Sequence, residues 1–199
     1  LSNSFFNGEF EKFSSIKKNL LIISDLNLEF LKFKKNLNLN KEVIYSQNLF
    51  LGFSDFNLKE KEADILFIIP SIDSMGLNSL ENFSINSDDL RKKSNKWLND
   101  LNEVLNLVQN KYNFPKIVIT SFICSTNWQL LGDSNYENLL INHELSKLEL
   151  EIHKKFFTSG INFLKLPRIL SNENSDEYIS SINFRRFRCP LTDEGMLIL

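Results

Sequence analysis

The side chains that could do chemistry are few in this chain of 199 residues, and they are unevenly placed. Gly132-Asp133-Ser134 sets a hydroxyl beside a carboxylate, a triplet in which a serine could serve as a nucleophile if a base stood near it. The surrounding Gly, Asp, Ser and Asn residues equally compose a turn. The two imidazoles, His143 and His153, lie ten residues apart on one helical pattern. That spacing sets them about 80° apart in projection and about 15 Å apart along the axis. They cannot share a metal ion there, His-x-x-x-His is absent, and no metal site or cofactor is expected. Cys124 and Cys189 are too few for a disulfide framework and read as reduced structural thiols. Asp25 and Asp73, with Ser24, Ser71, Ser74 and Ser121, each follow a short apolar run. The two carboxylates suit capping of turns and helix N-termini. The sharper reading joins them in a polar pocket with Asn127 and with Arg186 or Arg188. Arg185-Arg186-Phe187-Arg188 is the densest arginine cluster, and it suits a solvated turn or a contact with an anion or acidic partner.

The elements that must position these groups are legible in the apolar pattern. Leu20–Ile23, Val43–Tyr45, Ile65–Ile69, Ile117–Thr120 and Ile161–Leu164 read as strands. The first, third and fourth are unbroken, Ile-rich blocks, as in strands covered on both faces. Leu90, Trp97, Leu101, Val104, Leu105 and Val108 stripe a helix over about 88–110, with Asn86, Ser87 and Asp88 as capping side chains. Ile141, Leu145, Leu148, Ile152 and Phe156 stripe a second helix over about 137–157, and Gly160 follows where positive φ is wanted. A shorter helix is expected after Asn27 and a last one near Thr192. Strands alternating with helices imply right-handed crossovers and a three-layer α/β domain, with about five parallel strands in the flavodoxin-like order 2-1-3-4-5. Ligands then bind outside the carboxyl ends of the strands, at Ser24-Asp25-Leu26, Ser71-Ile72-Asp73, Ser121 to Asn127 and the loop after the last strand. Residues 1–18 read as an arm or helix and 19–199 as a single domain.

Composition narrows the class further. Apolar residues at 42% and charged residues at 24% exclude a disordered or collagen-like chain. A net charge of −2 gives no global field to recruit nucleic acid or anionic lipid. Ala63 is the single alanine beside 18 Phe, so the core must be built from Phe, Leu and Ile. The 26 Asn residues are dispersed among periodic apolar positions, which does not describe a prion-like tract. No apolar run approaches the roughly 18 residues that span a bilayer. No basic segment followed by an apolar one opens the chain, and a cytoplasmic location is expected. The chain starts at Leu1 without a methionine and stops at Leu199, as one module of a longer protein would.

Three motifs carry a resemblance. Leu20-Leu21-Ile22-Ile23-Ser24-Asp25-Leu26 resembles the first block of the SGNH (GDSL-like) hydrolases, where a strand runs into Gly-Asp-Ser and the Ser is the nucleophile. Ala63 to Asp73 resembles the block ending in Gly-x-Asn-Asp, whose Asn lines the oxyanion hole. Pro190-Leu191-Thr192-Asp193-Glu194-Gly195 resembles the last block, where Asp-x-x-His precedes Leu-Thr-x-x-Gly. The resemblance implies that Leu26 stands at the nucleophile, Ile72 at the oxyanion Asn, Phe187 at the catalytic Asp and Pro190 at the His. None of these side chains can supply a nucleophile, base or oxyanion donor, so the ester-hydrolase mechanism does not follow from the fold.

The chain is most similar to the N-terminal SGNH-like domain of FkbH-like proteins. The degenerate Ser24-Asp25-Leu26-Asn27 block, the helix near Leu140-Ile141-Asn142 and the arginine stretch before Pro190 all fit it. That resemblance implies a neighbouring HAD-type catalytic domain and an acyl-type carrier protein as partners. The Asp-x-Asp-x-Thr signature of HAD chemistry does not occur between Leu1 and Leu199. The expected function is a non-catalytic accessory domain in a polyketide or surface-polysaccharide type of pathway. It would dock the carrier or position the HAD-type domain. Two other readings stand beside it: a divergent hydrolase or acyltransferase using Ser71, Ser74, Ser121 or Ser134, and a small-ligand or carbohydrate-binding module.

Overall fold

A computed structural model describes residues 18–29, 39–53, 63–76, 86–111, 116–123, 135–165, 180–187, 189 and 191–192. Five apolar segments form the strands β1 (Lys18–Ser24), β2 (Leu39–Tyr45), β3 (Ile65–Ile69), β4 (Lys116–Thr120) and β5 (Ile161–Leu164). All neighbouring pairs are parallel and the order is β2-β1-β3-β4-β5, the flavodoxin-like order. Ser24 at the end of β1 stands opposite Tyr45 on one side and Ile69 on the other. Four of the strands coincide with the apolar runs to within two residues at each end. β2 starts four residues before Val43, because it is the sheet's edge and carries polar Asn40, Lys41 and Glu42 where an inner strand would be apolar.

The two long helices are α1 (Ser87–Lys111) and α2 (Asn135–Phe156). Asn86 begins α1: its Oδ1 accepts the Asp89 N–H at 2.8 Å, which satisfies one of the donors a helix start leaves open. α2 runs into a 3-10 turn, Phe157–Ser159, and Gly160 closes it at φ 74. A short α3 (Ser181–Phe187) follows β5, and Ser180 Oγ accepts the Asn183 N–H at its start. Arg185 and Arg186 therefore lie in a helix, where the sequence suggested a turn. The segment Ser-Ile-Asn-Phe-Arg-Arg-Phe has no long apolar stripe to announce a helix, and Ile182 and Phe187 point to solvent. Lys18, read as the end of the arm over 1–18, instead begins β1; the rest of that arm, the helices expected after Asn27 and near Thr192, and the triplet Gly132-Asp133-Ser134 lie outside the described residues.

Alternation along the strands splits the core in two. Leu21, Ile23, Leu66, Ile68, Ile117 and Ile119 face α1 and α2, whose Leu90, Trp97, Leu101, Leu105, Ile141, Leu148 and Ile152 complete that side. Leu20, Ile22 and Ile69 face the other way. They pack against Leu26, Leu28, Ile123, Cys189 and Leu191. Burying each such aliphatic side chain stabilises the fold by about 1.5–3 kcal/mol relative to leaving it in water. The sheet is thus covered on both faces, which leaves the carboxyl ends of its strands as the place for a site.

Candidate functional site

The chain bends sharply after β1, and Ser24 makes the bend. Its Oγ donates to the Ile69 carbonyl at 2.6 Å and accepts the Leu26 N–H at 3.0 Å. That pins the end of β1 to the end of β3 and turns Leu26 onto the apolar face. After β3 the chain continues beside β4: Ile123 N–H donates to the Pro70 carbonyl at 2.9 Å, and Ile72 N–H to the Ile123 carbonyl at 3.1 Å. Ser71 then caps a 3-10 turn, Ile72–Met75, by accepting the Asp73 N–H at 3.1 Å, and Gly76 closes it at φ 70.

Asp25 and Ser71 meet across this gap. Ser71 N–H donates to Asp25 Oδ1 at 2.7 Å, and Ser71 Oγ–H donates to Asp25 Oδ2. Asp25 is 7% exposed and Ser71 fully buried. Burial penalises the Asp25 carboxylate most and raises its pKa to about 6, the Ser71 donors oppose the rise, and the negative charge of Asp73 adds to it. Asp25, Ser71 and the Asp73 N–H therefore form one hydrogen-bonded unit at the ends of β1 and β3, beside the Ser24 hydroxyl that ties Leu26 to Ile69.

Of the four positions that the resemblance assigns to hydrolase chemistry, Leu26, Ile72 and Phe187 lie among the described residues, and none of the three carries a reactive group. Leu26 is completely buried among Leu28, Ile69, Ile123, Cys189 and Leu191. Ile72 is buried on the opposite side of the sheet, with Met75 and Trp97. Phe187 is 54% exposed on α3, and Arg186 is exposed beside it. Pro190, Asn127, Arg188 and Cys124 lie outside the described residues. Ser121 is buried, with its N–H donated to the Leu164 carbonyl. His143 and His153 are exposed on α2, His153 against the Phe157 ring. Burial raises the pKa of the Cys189 thiol, opposite to what a reactive thiolate needs. Among the described residues no group of three or more His, Cys, Asp or Glu could hold a metal ion. No helix among them is long and apolar enough to cross a membrane.

Two features escaped the sequence. Glu149 on α2 reaches the end of β4, where it accepts the Phe122 N–H, and stands 4.0 Å from Lys165 past the end of β5. Its desolvation raises its pKa. Trp97 reaches Ser74 instead of serving only as core. Glu149 directly follows Leu148 of the apolar stripe, a mild signal for a carboxylate held at a helix–sheet seam. The Asp25–Ser71 pairing joins residues 46 apart and carries no local signal at all.

Comparison with known structures agrees with this architecture. The chain is similar to the N-terminal part of a Bacteroides fragilis protein containing a phosphatase domain, solved in complex with Mg, at TM-score 0.64 and 14% identity over 95% of this chain. It spans about half of that chain, 52%. A proposed acylhydrolase from Bacteroides fragilis matches at TM-score 0.51 and 10% identity, over 98% of this chain and 89% of its own. A proposed platelet-activating-factor protein from Streptococcus pneumoniae matches at TM-score 0.53 and 13% identity, over 98% and 87%. No family model and no curated protein matches the sequence. The fold is SGNH-like, a five-stranded parallel α/β sheet of the kind that the strand-end motifs announced.

Proposed function

We propose that this chain is an SGNH-like accessory domain without ester-hydrolase chemistry, which positions a neighbouring HAD-type catalytic domain and docks an acyl-type carrier protein. The observation that carries this reading is Leu26. Where the related hydrolases hold their nucleophile, this chain holds a leucine with no exposed surface, packed against five apolar neighbours. A hydrolase needs a hydroxyl open to substrate at that point. The Bacteroides fragilis neighbour supports the accessory half of the reading. Its matched region is about half of its chain, and the protein contains a phosphatase domain. The exposed face of α3, with Ile182, Arg186 and Phe187, supports the docking half, since arginine between apolar side chains suits an acidic, partly apolar partner.

One observation favours a second reading, a divergent hydrolase. Ser71 donates its hydroxyl hydrogen to Asp25, the arrangement of a nucleophile and its base. Its complete burial argues against attack on a substrate from that position. A p-nitrophenyl acetate assay separates the two. The accessory reading expects turnover at background for the chain and for Ser71→Ala alike. Hydrolysis that survives repurification and disappears in Ser71→Ala would replace it with the hydrolase.

A further inference from the structure

The ends of four strands converge on one indole. Trp97 is 2% exposed; its ring centroid lies 4.8 Å from that of Phe122, just past β4, and 5.6 Å from that of Phe50, past β2. Its Nε1–H donates to Ser74 Oγ at 2.8 Å. Ser74 Oγ–H donates to the Ser71 carbonyl at 2.7 Å, and Ser71 in turn donates its N–H and O–H to Asp25, just past β1. Asp25, Ser71, Ser74 and Trp97 therefore form an unbroken polar chain under the carboxyl end of the sheet.

We propose that this chain of groups is a proton-operated switch: uptake of one proton by Asp25 turns the Ser71 hydroxyl, reseats the turn Ile72–Met75 and shifts Trp97. The line between Asp25 Oδ2 and Ser71 Oγ holds one hydrogen. With Asp25 ionised, the hydroxyl hydrogen occupies it. When Oδ2 takes up a proton, two hydrogens compete for that line and one must leave it. Ser71 is fully buried, so the displaced hydrogen finds no bulk water. Its Oγ also accepts the Asp73 N–H that caps the turn, and its carbonyl receives both the N–H and the Oγ–H of Ser74. A turned hydroxyl therefore acts on the whole turn on which the indole rests. The charged side chain whose field acts on Asp25 is Asp73, and it favours proton uptake. The Ser71 donors and the N–H of Asp25 itself oppose it. The balance of these with burial puts the transition near pH 6, within the range where cellular pH varies. The switch is independent of the accessory reading and would operate in a hydrolase as well.

Trp97 reports the transition directly once the second tryptophan is replaced, so the experiment uses the chain with Trp128→Phe. Tryptophan emission is followed from about two pH units below to two above the transition, with circular dichroism as the folding control. The expected result is a single titration with its midpoint within about one unit of pH 6, absent in Asp25→Asn. In Ser71→Ala no hydroxyl is left to turn, so the amplitude falls, and what remains of it has its midpoint at higher pH because the carboxylate has lost a donor. A flat profile in the parent overturns the proposal. So does a titration that persists in Asp25→Asn, which would assign it to a different group. An unreduced amplitude in Ser71→Ala also overturns it, and that variant decides alone if Asp25→Asn does not fold.

Discussion

Leu26 and Asp25 are adjacent in sequence and opposite in what they ask of the fold. Leu26 is satisfied by apolar contact, so placing a serine there does not recreate a catalyst. Leu26→Ser removes a fully buried side chain and sets a hydroxyl among Leu28, Ile69, Ile123, Cys189 and Leu191. It should lower stability by about 3–5 kcal/mol, read from the urea midpoint, and yield no esterase activity. Asp25 is stabilised by Ser71 but penalised more heavily by burial. Its folded pKa, about 6, lies above the ordinary aspartate value of 3.8. The folded state therefore binds more protons between those values, and stability falls as pH rises through them. The full span is worth about 3 kcal/mol at most. Asp25→Asn should flatten that slope. At pH above the transition it should be no less stable than the parent within about 1 kcal/mol, because it removes a desolvated charge while Ser71 N–H keeps its acceptor. Denaturant titrations of both proteins on either side of pH 6 check this. An Asn variant that keeps the parent's slope would show that other groups set it.

At the scale of elements, two small features can be probed in isolation. Gly160 closes the turn after α2 at φ 74, and a Cβ there would meet nothing within 4 Å. Gly160→Ala should therefore cost about 1 kcal/mol, from backbone strain alone. Ser94 on α1 is buried with an Oγ that has no hydrogen-bond partner among the described residues. Ser94→Ala should raise stability by about 1 kcal/mol, by removing an unsatisfied hydroxyl and improving helix propensity. Both are read from thermal and urea unfolding, and a destabilised Ser94→Ala would mean that the hydroxyl is satisfied in solution. The same scale shows why some elements were legible and others were not. Ile65–Ile69 and the stripe through Trp97 and Leu105 announce themselves because they supply much of the apolar core. The start of β2, and Ile182, Arg186 and Phe187 of α3, face solvent, and there the residue pattern no longer follows the backbone period. The strand order was legible as alternation of strand and helix. The Asp25–Ser71 contact was not, since only the crossover between β1 and β3 brings the two residues together.

For the whole molecule, the slightly acidic net charge of −2 makes a local cluster of arginines informative. A carrier protein of the acyl type is generally acidic, and Arg186 on α3 with Arg188 after it would meet it. The double variant Arg186→Glu, Arg188→Glu should associate more slowly and with a flatter salt dependence, because rim charges act mainly on encounter. At the exposed Arg186 the substitution should change stability by no more than about 0.5 kcal/mol, and circular dichroism checks that the double variant folds. Binding to an acyl carrier protein at two salt concentrations tests it, and unchanged binding rejects this surface.

The strand order also governs how the sheet can be built during translation. β1 lies between β2 and β3 and pairs with both, so residues 18–69 already contain a three-stranded sheet. β4 and then β5 join on the β3 side, one after the other. A nascent chain leaving the ribosome can therefore register its first three strands before α1 is synthesised, and each later strand meets a template edge already in place. Until β4 arrives, that edge is Ile65–Ile69, the most apolar run in the chain, open to any other strand nearby. The vulnerable interval in biogenesis is the synthesis of the 46 residues between β3 and β4, and chaperone dependence should concentrate there.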